Sequence, residues 1–313
     1  MKKVIWLVAA LVVLLGAWWF LGRREESLQQ AGVPQATSVD TLTVNRIILE
    51  RHNVPSITFE KDAGGFWTIT EPVADKANLN LVDQLEKGLA MMKFVNRISD
   101  RSSQHAAFQI DDVSALRIQA FAGDVQQADV YLGKVTPDRQ HVYARLSGSD
   151  VVFSATGGGA LAAMRSRDLD SFRSRDVLER DPNQFDSVDV RSGAFAYRLV
   201  RVDSSTWDVR IGASGARRAS TAVVDGFLRA LGRMKASGFR PDSVNVDWDR
   251  SDIGISAWLL GEPEVKLSMV AAPNASYYVR STTREYDLAV FESVYKTFQR
   301  DPKEFLDTAP QGS

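Results

Sequence analysis

Two segments of similar pattern, one in each half of the chain, place the strongest constraint on the fold. VDQLEKGLAMMK spans Val82–Lys93, and VDGFLRALGRMK spans Val224–Lys235. Both repeat apolar residues at steps of three and four, which predicts an amphipathic helix with one buried face. They also share Val, Asp, Leu, Met and Lys at matching places. The pattern predicts a structural unit that occurs twice.

Strand candidates surround these two helices in the same order in both halves. Each half gives a strand and a hairpin before the helix, then further strands and a closing helix. The first half has them at Leu42–Glu50, Ser56–Thr70, Ala115–Phe121, Ala128–Gly133, His141–Leu146 and Asp150–Ala155, closed by a helix near Gly159–Arg167. The second half has them at Phe185–Val190, Phe195–Ile211, Ile255–Gly261, Glu264–Val270 and Ser276–Ser281, closed by a helix over Leu288–Gln299. An antiparallel sheet with one apolar face needs a helical cover, so we expect an α+β fold of two tandem repeats.

A tryptophan marks the returning strand of each predicted hairpin. Trp67 and Trp207 both alternate with apolar neighbours along their strands. Such placement favours packing in the core over the alternative, an aromatic wall that would hold a glycan or a lipid.

The N-terminal part of the chain is the most apolar. Val4–Leu21 carries no charge, and as a helix it would span roughly 27 Å, close to the hydrocarbon thickness of a bilayer. Lys2 and Lys3 precede it, which favours a cytoplasmic N-terminus and a periplasmic or extracytoplasmic body in the inner membrane. The segment ends in Trp18-Trp19-Phe20, a poor cleavage site, so we expect an uncleaved single-pass anchor rather than a cleaved secretory signal.

These patterns divide the chain into five parts. We expect a transmembrane anchor at 1–24, a polar linker at 25–40, the first α+β repeat at 41–175, the second at 176–308 and a short tail at 309–313.

Composition argues against several classes of function. The chain has no cysteine, which excludes disulfides, thiolate nucleophiles and cysteine-based metal sites. Its net charge of −1 offers no excess of positive charge for nucleic acid. The three histidines, His52, His105 and His141, show no metal-binding spacing, and we expect them on the surface or on edge strands. No cofactor and no metal are expected.

Several motifs of the first repeat resemble a known family. They are GGFWTITEP (Gly64–Pro72), the helix segment that follows it, FQIDDVSALRIQAF (Phe108–Phe121) and the arginine-rich SFRSRDVL (Ser171–Leu178). Together they resemble domain-of-unknown-function family 4340, although Phe108-Gln109-Ile110 lacks a glycine that is typical there. The resemblance implies an envelope protein with one N-terminal helix, encoded near ABC-type exporters with gliding-motility-like auxiliary subunits. It implies no catalytic residues.

An arginine-rich segment is the candidate interaction surface. Arg165, Arg167, Arg173 and Arg175 alternate with acidic residues between the two predicted repeats. The segment is typical of a salt-bridged junction, and the alternative is a surface that binds an anionic ligand or a partner protein.

Glycines near two predicted strand ends resemble phosphate-binding loops only superficially. GGGALAAM (Gly157–Met164) lacks the lysine and hydroxyl of such a loop, and Gly133-Lys134 lacks the upstream glycine. A strand-to-helix turn is the favoured interpretation of the first.

No catalytic signature is present in the sequence. We therefore expect a non-catalytic, membrane-anchored, extracytoplasmic accessory, scaffolding or ligand-sensing subunit of an envelope ABC-type transport complex. Its expected partners are the inner membrane and ABC transporter subunits, with no nucleic acid. The alternatives are an envelope hydrolase acting on cell-wall or lipid material and a secreted binding protein.

Overall fold

The computed structural model describes residues 33–272 and 276–307. The chain divides into two units between Arg173 and Ser174, two residues before the expected boundary. The predicted anchor at 1–24, the first part of the linker and the tail lie outside the described residues. Within the described residues, no helix is long and apolar enough to cross a membrane.

Unit 1 is built on one nine-stranded antiparallel sheet with few helices. Its strands are β1 (Arg46–Arg51), β2 (Val54–Lys61), β3 (Trp67–Glu71), β4 (Asp75–Lys76), β5 (Lys93–Ser99), β6 (Leu116–Ala122), β7 (Val125–Val135), β8 (Val142–Leu146) and β9 (Val152–Thr156). Its helices are α1 (Leu79–Met91), α2 (His105–Phe108), α3 (Gly158–Ala162) and α4 (Leu169–Phe172), with 3-10 turns at Ser102–Gln104 and Ala163–Ser166. The strand order is β4-β3-β2-β1-β6-β7-β8-β9-β5.

Unit 2 contains a second nine-stranded antiparallel sheet. Its strands are β10 (Phe185–Ser192), β11 (Phe195–Arg201), β12 (Trp207–Ile211), β13 (Arg217–Arg218), β14 (Gly238–Phe239), β15 (Ile253–Leu259), β16 (Val265–Ala271), β17 (Tyr277–Ser281) and β18 (Leu288–Val290). Its helices are α5 (Thr221–Gly232) and α6 (Glu292–Thr297), with 3-10 turns at Pro182–Gln184, Trp248–Arg250 and Pro302–Phe305. The order β13-β12-β11-β10-β15-β16-β17-β18-β14 repeats that of unit 1 strand for strand.

The register of the strands repeats as well as their order. Ile47 on β1 lies opposite Phe59 on β2 and Ala120 on β6. Val188 holds the corresponding place on β10, opposite Leu199 on β11 and Ala257 on β15. The prediction of a repeated sheet is therefore confirmed, and positions in the two units can be matched residue by residue.

Each long helix buries the apolar stripe that its sequence predicts. Val82, Leu85 and Leu89 of α1 are fully buried within the core of unit 1, against the inner face of its sheet. Val224 and Phe227 of α5 are equally buried within the core of unit 2. This burial of apolar surface is the main term that holds each helix on its sheet.

The predicted tryptophan packing is also observed. Trp67 and Trp207 belong to the cores of their units, 6% and 1% exposed. Each ring is covered by a cation from the neighbouring strand, with Lys61 Nζ 4.9 Å from the ring centre of Trp67 and Arg201 Cζ 4.5 Å from that of Trp207. The Trp67 indole also donates to Glu86 Oε2 at 3.0 Å.

Some boundaries differ from the sequence prediction. Helix α1 ends at Met91, and the next residues pair with β9 as the edge strand β5. The predicted closing helix of the second half is half strand, because β18 comes before α6. Asn78 stands at the N-cap of α1, but its side chain donates to the Ser171 carbonyl instead of capping the helix.

The C-terminal end of the expected linker packs on the core of unit 1. Ala36 and Val39 are buried in the core of unit 1, and the Thr37 hydroxyl donates to the Leu89 carbonyl at 2.6 Å. Two apolar side chains in this polar stretch bury enough surface to order the chain there.

Candidate functional site

The solvent face of the second sheet carries a shallow groove. Residues along its strands alternate between the buried face under α5 and the face turned to solvent. The groove has a volume of about 610 Å³ and crosses five neighbouring strands, β12, β11, β10, β15 and β16. Because these strands form one continuous hydrogen-bonded ladder, they hold the side chains around the groove at fixed spacing.

Positive charge dominates this groove. Its lining includes four cations, Arg191, Arg198, Arg210 and Lys266, and a single carboxylate, Asp189. Asp189 already has a partner, since it accepts two hydrogen bonds from Arg198, one from Nη2 at 2.6 Å and one from Nε. These hydrogen bonds raise the pKa of Arg198. An anion that enters the groove therefore meets an excess of positive charge.

Two of the cations are directly opposed across adjacent strands. Arg198 on β11 faces Arg210 on β12 in the strand register, and both side chains are exposed. Like charges at directly opposite positions destabilise a strand pair. Asp189, bound to Arg198, offsets part of this repulsion, but among residues 33–272 and 276–307 Arg210 itself has no ion pair or side-chain hydrogen bond. A bound anion would offset the charge of Arg210.

The floor between the cations is made of small residues. Gly254 and Ser256 on β15 and Ser268 on β16 line the groove together with Ala196 on β11. Their backbone groups are used in strand pairing on both sides, which leaves the two hydroxyls as the hydrogen-bonding groups of the floor. The groove thus offers guanidinium groups around a flat, polar base.

A second depression adjoins the groove and shares Lys266 and Ser268 with it. There Asp287 receives hydrogen bonds from Arg240 Nε at 2.9 Å and Arg280 Nε at 2.8 Å. Burial raises the pKa of Asp287, but the hydrogen bonds from the two arginines outweigh burial and leave that pKa below its usual value. The same contact raises the pKa of Arg280.

Family comparison covers both units. A family model described as Domain of unknown function (DUF4340) matches residues 67–253, from the start of β3 in unit 1 to the start of β15 in unit 2. The match takes in more than half of the chain. The chain belongs to this family. No curated protein and no solved structure matches the chain.

In this member of the DUF4340 family the predicted arginine surface is divided. Arg165, Arg167 and Arg173 belong to unit 1, and Arg175 belongs to unit 2. Arg173 is buried, 7% exposed, and its guanidinium binds Asp75 at 2.8 Å and Asp170 at 3.0 Å. Its charge is thus committed inside the fold, as in the salt-bridged interpretation of the segment.

Arg167 borders a small pocket of unit 1, and Arg165 lies two residues before it in the chain. Arg165 Nη1 donates to the Ser114 carbonyl at 3.1 Å, and the carbonyls of Arg165 and Arg167 accept from Arg51. Burial lowers the pKa of Arg51, and the nearby Asp168 partly opposes that shift. The pocket, about 350 Å³, is otherwise lined mainly by apolar side chains and prolines. Arg165 and Arg167 thus help to hold unit 1 together through their backbone carbonyls, and Arg165 also does so through its guanidinium.

Arg175 is the exposed member of the predicted surface. Its carbonyl accepts a hydrogen bond from the Ala236 backbone at 2.7 Å, while its side chain is directed to solvent. Of the four arginines that the sequence predicts as a surface, only Arg175 is exposed. The cations of the groove come instead from strands that are far apart in the sequence.

The histidines of this family member do not converge. His105 is buried in α2 and its Nε2 contacts the Asp150 carbonyl at 2.9 Å, which corrects the expected surface position. His141 Nδ1 lies 3.1 Å from Asp138, and His52 is exposed. Within the described part of the chain, no group of three or more His, Asp or Glu side chains is placed to hold a metal ion.

The glycines that resemble phosphate loops have structural roles. Gly157 has φ +75° and makes the turn from β9 into α3, as predicted. Gly133 packs so closely that an added Cβ would lie 2.2 Å from the Phe108 carbonyl oxygen. Close backbone contact explains the glycine there.

Proposed function

We propose that this chain is a non-catalytic, membrane-anchored subunit of a bacterial envelope transport complex. Its two-unit body lies outside the cytoplasmic membrane and acts in ligand sensing or scaffolding. The observation that carries the proposal is the open, cation-lined face of the second sheet, which supports a binding role.

The geometry of that face favours binding over chemistry. Its polar groups are mainly guanidiniums, whose protons stay bound at any physiological pH, so they hold anions and do not transfer protons. Asp189, the carboxylate of the groove, is held by Arg198. A rigid sheet with fixed cations supports recognition of a charged partner or ligand.

The membrane anchor is part of the proposal. Val4–Leu21 has the length and the lack of charge of a single membrane span, with Lys2 and Lys3 before it. Such an anchor would hold the two units close to membrane-embedded partners. The resemblance to this family implies a gene near ABC-type exporters, which makes transporter subunits the expected partners.

A pull-down from mild detergent tests the partner. Full-length protein with a C-terminal tag would be compared with the variants Arg210→Ala, in the groove, and Arg229→Ala, an exposed arginine on α5 that serves as the matched control. We expect mass spectrometry to recover ABC transporter subunits with the wild type and with both variants, because the proposed anchor mediates assembly and neither variant changes it. Recovery of no transporter subunit with the wild type would refute the proposed complex.

Fractionation and protease accessibility test the topology. We expect the full-length chain in the membrane fraction, resistant to extraction by high salt, and digestion of its body in cells stripped of any outer barrier. A chain released into the soluble fraction would instead match a secreted binding protein, and a protected body would contradict the extracytoplasmic placement.

A further inference from the structure

The two copies of the sheet carry different side chains at one matched set of positions. In unit 1, Arg117 on β6 lies opposite Glu50 on β1 and Tyr131 on β7. In unit 2 the position of Arg117 is held by Gly254, which lies opposite Arg191 on β10 and Ser268 on β16. Strand order is the same in both units and the register matches at these positions, so these are equivalent places on the solvent face.

In unit 1 those positions are filled and their charges are paired. Arg117 donates to Asp129 Oδ1 and Oδ2, both at 2.8 Å, and to Glu50 Oε2 at 2.9 Å. Tyr131 lies next to it, with its ring centre 5.5 Å from the Arg117 guanidinium and 3.6 Å from that of Arg145. The result is a self-contained ladder of charges and rings that covers the middle of the sheet.

In unit 2 the same place is open. Gly254 has no side chain and Ser268 has a small one, so nothing covers the floor of the groove between the flanking cations. Arg191 has the place of Glu50, which replaces an anion by a cation. Its guanidinium has one hydrogen bond in the described part of the chain, to Ser251 Oγ at 3.4 Å.

The charge left unpaired by this change points to an anion. In unit 1 two carboxylates neutralise the central arginine, whereas in unit 2 Asp189 faces Arg198 and leaves Arg191 and Arg210 without an acidic partner among the described residues. Arg presents a planar fork of donors that suits oxyanions, and the serine hydroxyls of the floor add further donors.

The shape of the groove narrows the class of ligand. A peptide cannot add to the sheet here, because the floor belongs to inner strands whose backbone groups are already paired on both sides. The side chains of the floor, at Gly254, Ser256, Ser268 and Ala196, are also too small to be the large aromatic anchors that dominate binding at protein interfaces. A small ligand with two or more negative charges needs neither a free strand edge nor a large aromatic anchor.

We propose that the groove of unit 2 binds a small phosphate-type oxyanion, such as a phosphomonoester or a diphosphate group. The same face in unit 1 lacks this capacity, because Arg117 and Tyr131 occupy it. The inference rests on the ligand-sensing form of the proposed function and gives it a ligand class.

Titration of the purified full-length chain with inorganic pyrophosphate tests this inference. Isothermal titration calorimetry would be run in detergent at constant ionic strength set with sodium chloride. We expect saturable binding with one site per chain. Absence of saturable binding by the wild type would overturn the proposal.

Two groove variants and two matched controls give the experiment its specificity. Gly254→Leu adds a blocking side chain at a position with an ordinary strand backbone, and Gly226→Leu adds the same side chain at an open position on α5. Arg210→Ala removes a groove cation, and Arg229→Ala removes an exposed cation from α5. We expect each groove variant to weaken binding by about tenfold or more and each control to leave it unchanged.

Two further outcomes would also overturn the proposal. Equal weakening of pyrophosphate binding by Arg210→Ala and Arg229→Ala would mean that the affinity depends only on the net charge of the chain. Saturable binding of an acidic peptide such as hexaglutamate, without binding of pyrophosphate, would assign the groove to a protein partner. Both outcomes are measured separately from the pull-down, so a failure of this proposal can be distinguished from a failure of the proposed complex.

Discussion

Gly254 on β15 holds the position that Arg117 holds on β6, each in the middle of the solvent face of its sheet. The sheets share strand order and register, yet one face is filled by an arginine with two acidic partners and the other is left bare. The two units thus share a scaffold, and the side chains on their solvent faces differ.

Alanine at the two matched positions is expected to act in opposite directions. Arg117→Ala removes hydrogen bonds to Glu50 and Asp129, and we expect it to lower the free energy of unfolding by about 1–3 kcal/mol. Gly254→Ala reduces the freedom of the unfolded chain at an ordinary strand position, and we expect a gain of about 0.5–1 kcal/mol. Urea unfolding of both variants measures the difference, and a similar loss in both would contradict the matched register.

Arg173 and Arg175 are expected to differ sharply although only one residue separates them. Arg173→Ala leaves Asp75 buried without its arginine, and we expect a loss of about 3–5 kcal/mol in the free energy of unfolding. Arg175→Ala changes an exposed side chain and should alter stability by less than about 0.5 kcal/mol. Thermal unfolding followed by circular dichroism separates the two. Equal stability of both variants would show that the Asp75 pair contributes little.

Partner binding by this segment can be tested with the exposed arginine alone. A weaker pull-down with Arg173→Ala could follow from unfolding, whereas Arg175→Ala should keep the fold intact. Loss of a partner in the Arg175 variant would support the docking surface that the sequence predicts, and unchanged recovery would count against it.

Gly133 is expected to tolerate no side chain. The Cβ of Gly133→Ala would lie 2.2 Å from the Phe108 carbonyl oxygen, and separating two backbone segments costs about 1–3 kcal/mol or more. Gly159→Ala is the control, because its Cβ would meet nothing within 4 Å and alanine favours the helix. Denaturant unfolding should show loss for the first and no loss for the second. A neutral Gly133→Ala would exclude this close approach.

Asp287 is expected to make unit 2 sensitive to acid. Its pKa is lowered in the folded chain by Arg280 and Arg240, so its contribution to stability is complete above its unfolded pKa, about 4, and is lost as the pH falls through the folded value. Asp287→Asn should therefore be less stable than the wild type at pH 7, and this difference should shrink below pH 4. Urea unfolding over that pH range measures it. A difference that stays constant with pH would rule out the titration of Asp287 as its source.

Periodic burial explains what could be predicted from the sequence. The apolar stripe through Val82, Leu85 and Leu89 predicts α1, and the alternation around Trp207 predicts β12, because local spacing decides which face is buried. The two-residue strands β4, β13 and β14 show no such period, since they are placed by their neighbours in the sheet.

The groove could not be predicted because its members are distant in sequence. Arg191, Arg198, Arg210 and Lys266 come from four strands and meet only through the register of the sheet. The contiguous arginines near Arg173 are conspicuous in the sequence, yet the fold buries Arg173, half-buries Arg165 and Arg167, and exposes only Arg175. A position-by-position match of the two repeats could have drawn attention to Gly254, because it aligns this glycine with Arg117.

The two separate sheets have the same strand order beneath their solvent faces, so each unit serves as a reference for the other. Any solute that unit 2 retains and unit 1 does not must be selected by side chains, since hydrogen-bonded strands of equal order and register support both. Transferring the few residues of one solvent face to the other would then move selectivity between the halves of a single polypeptide without rebuilding either half.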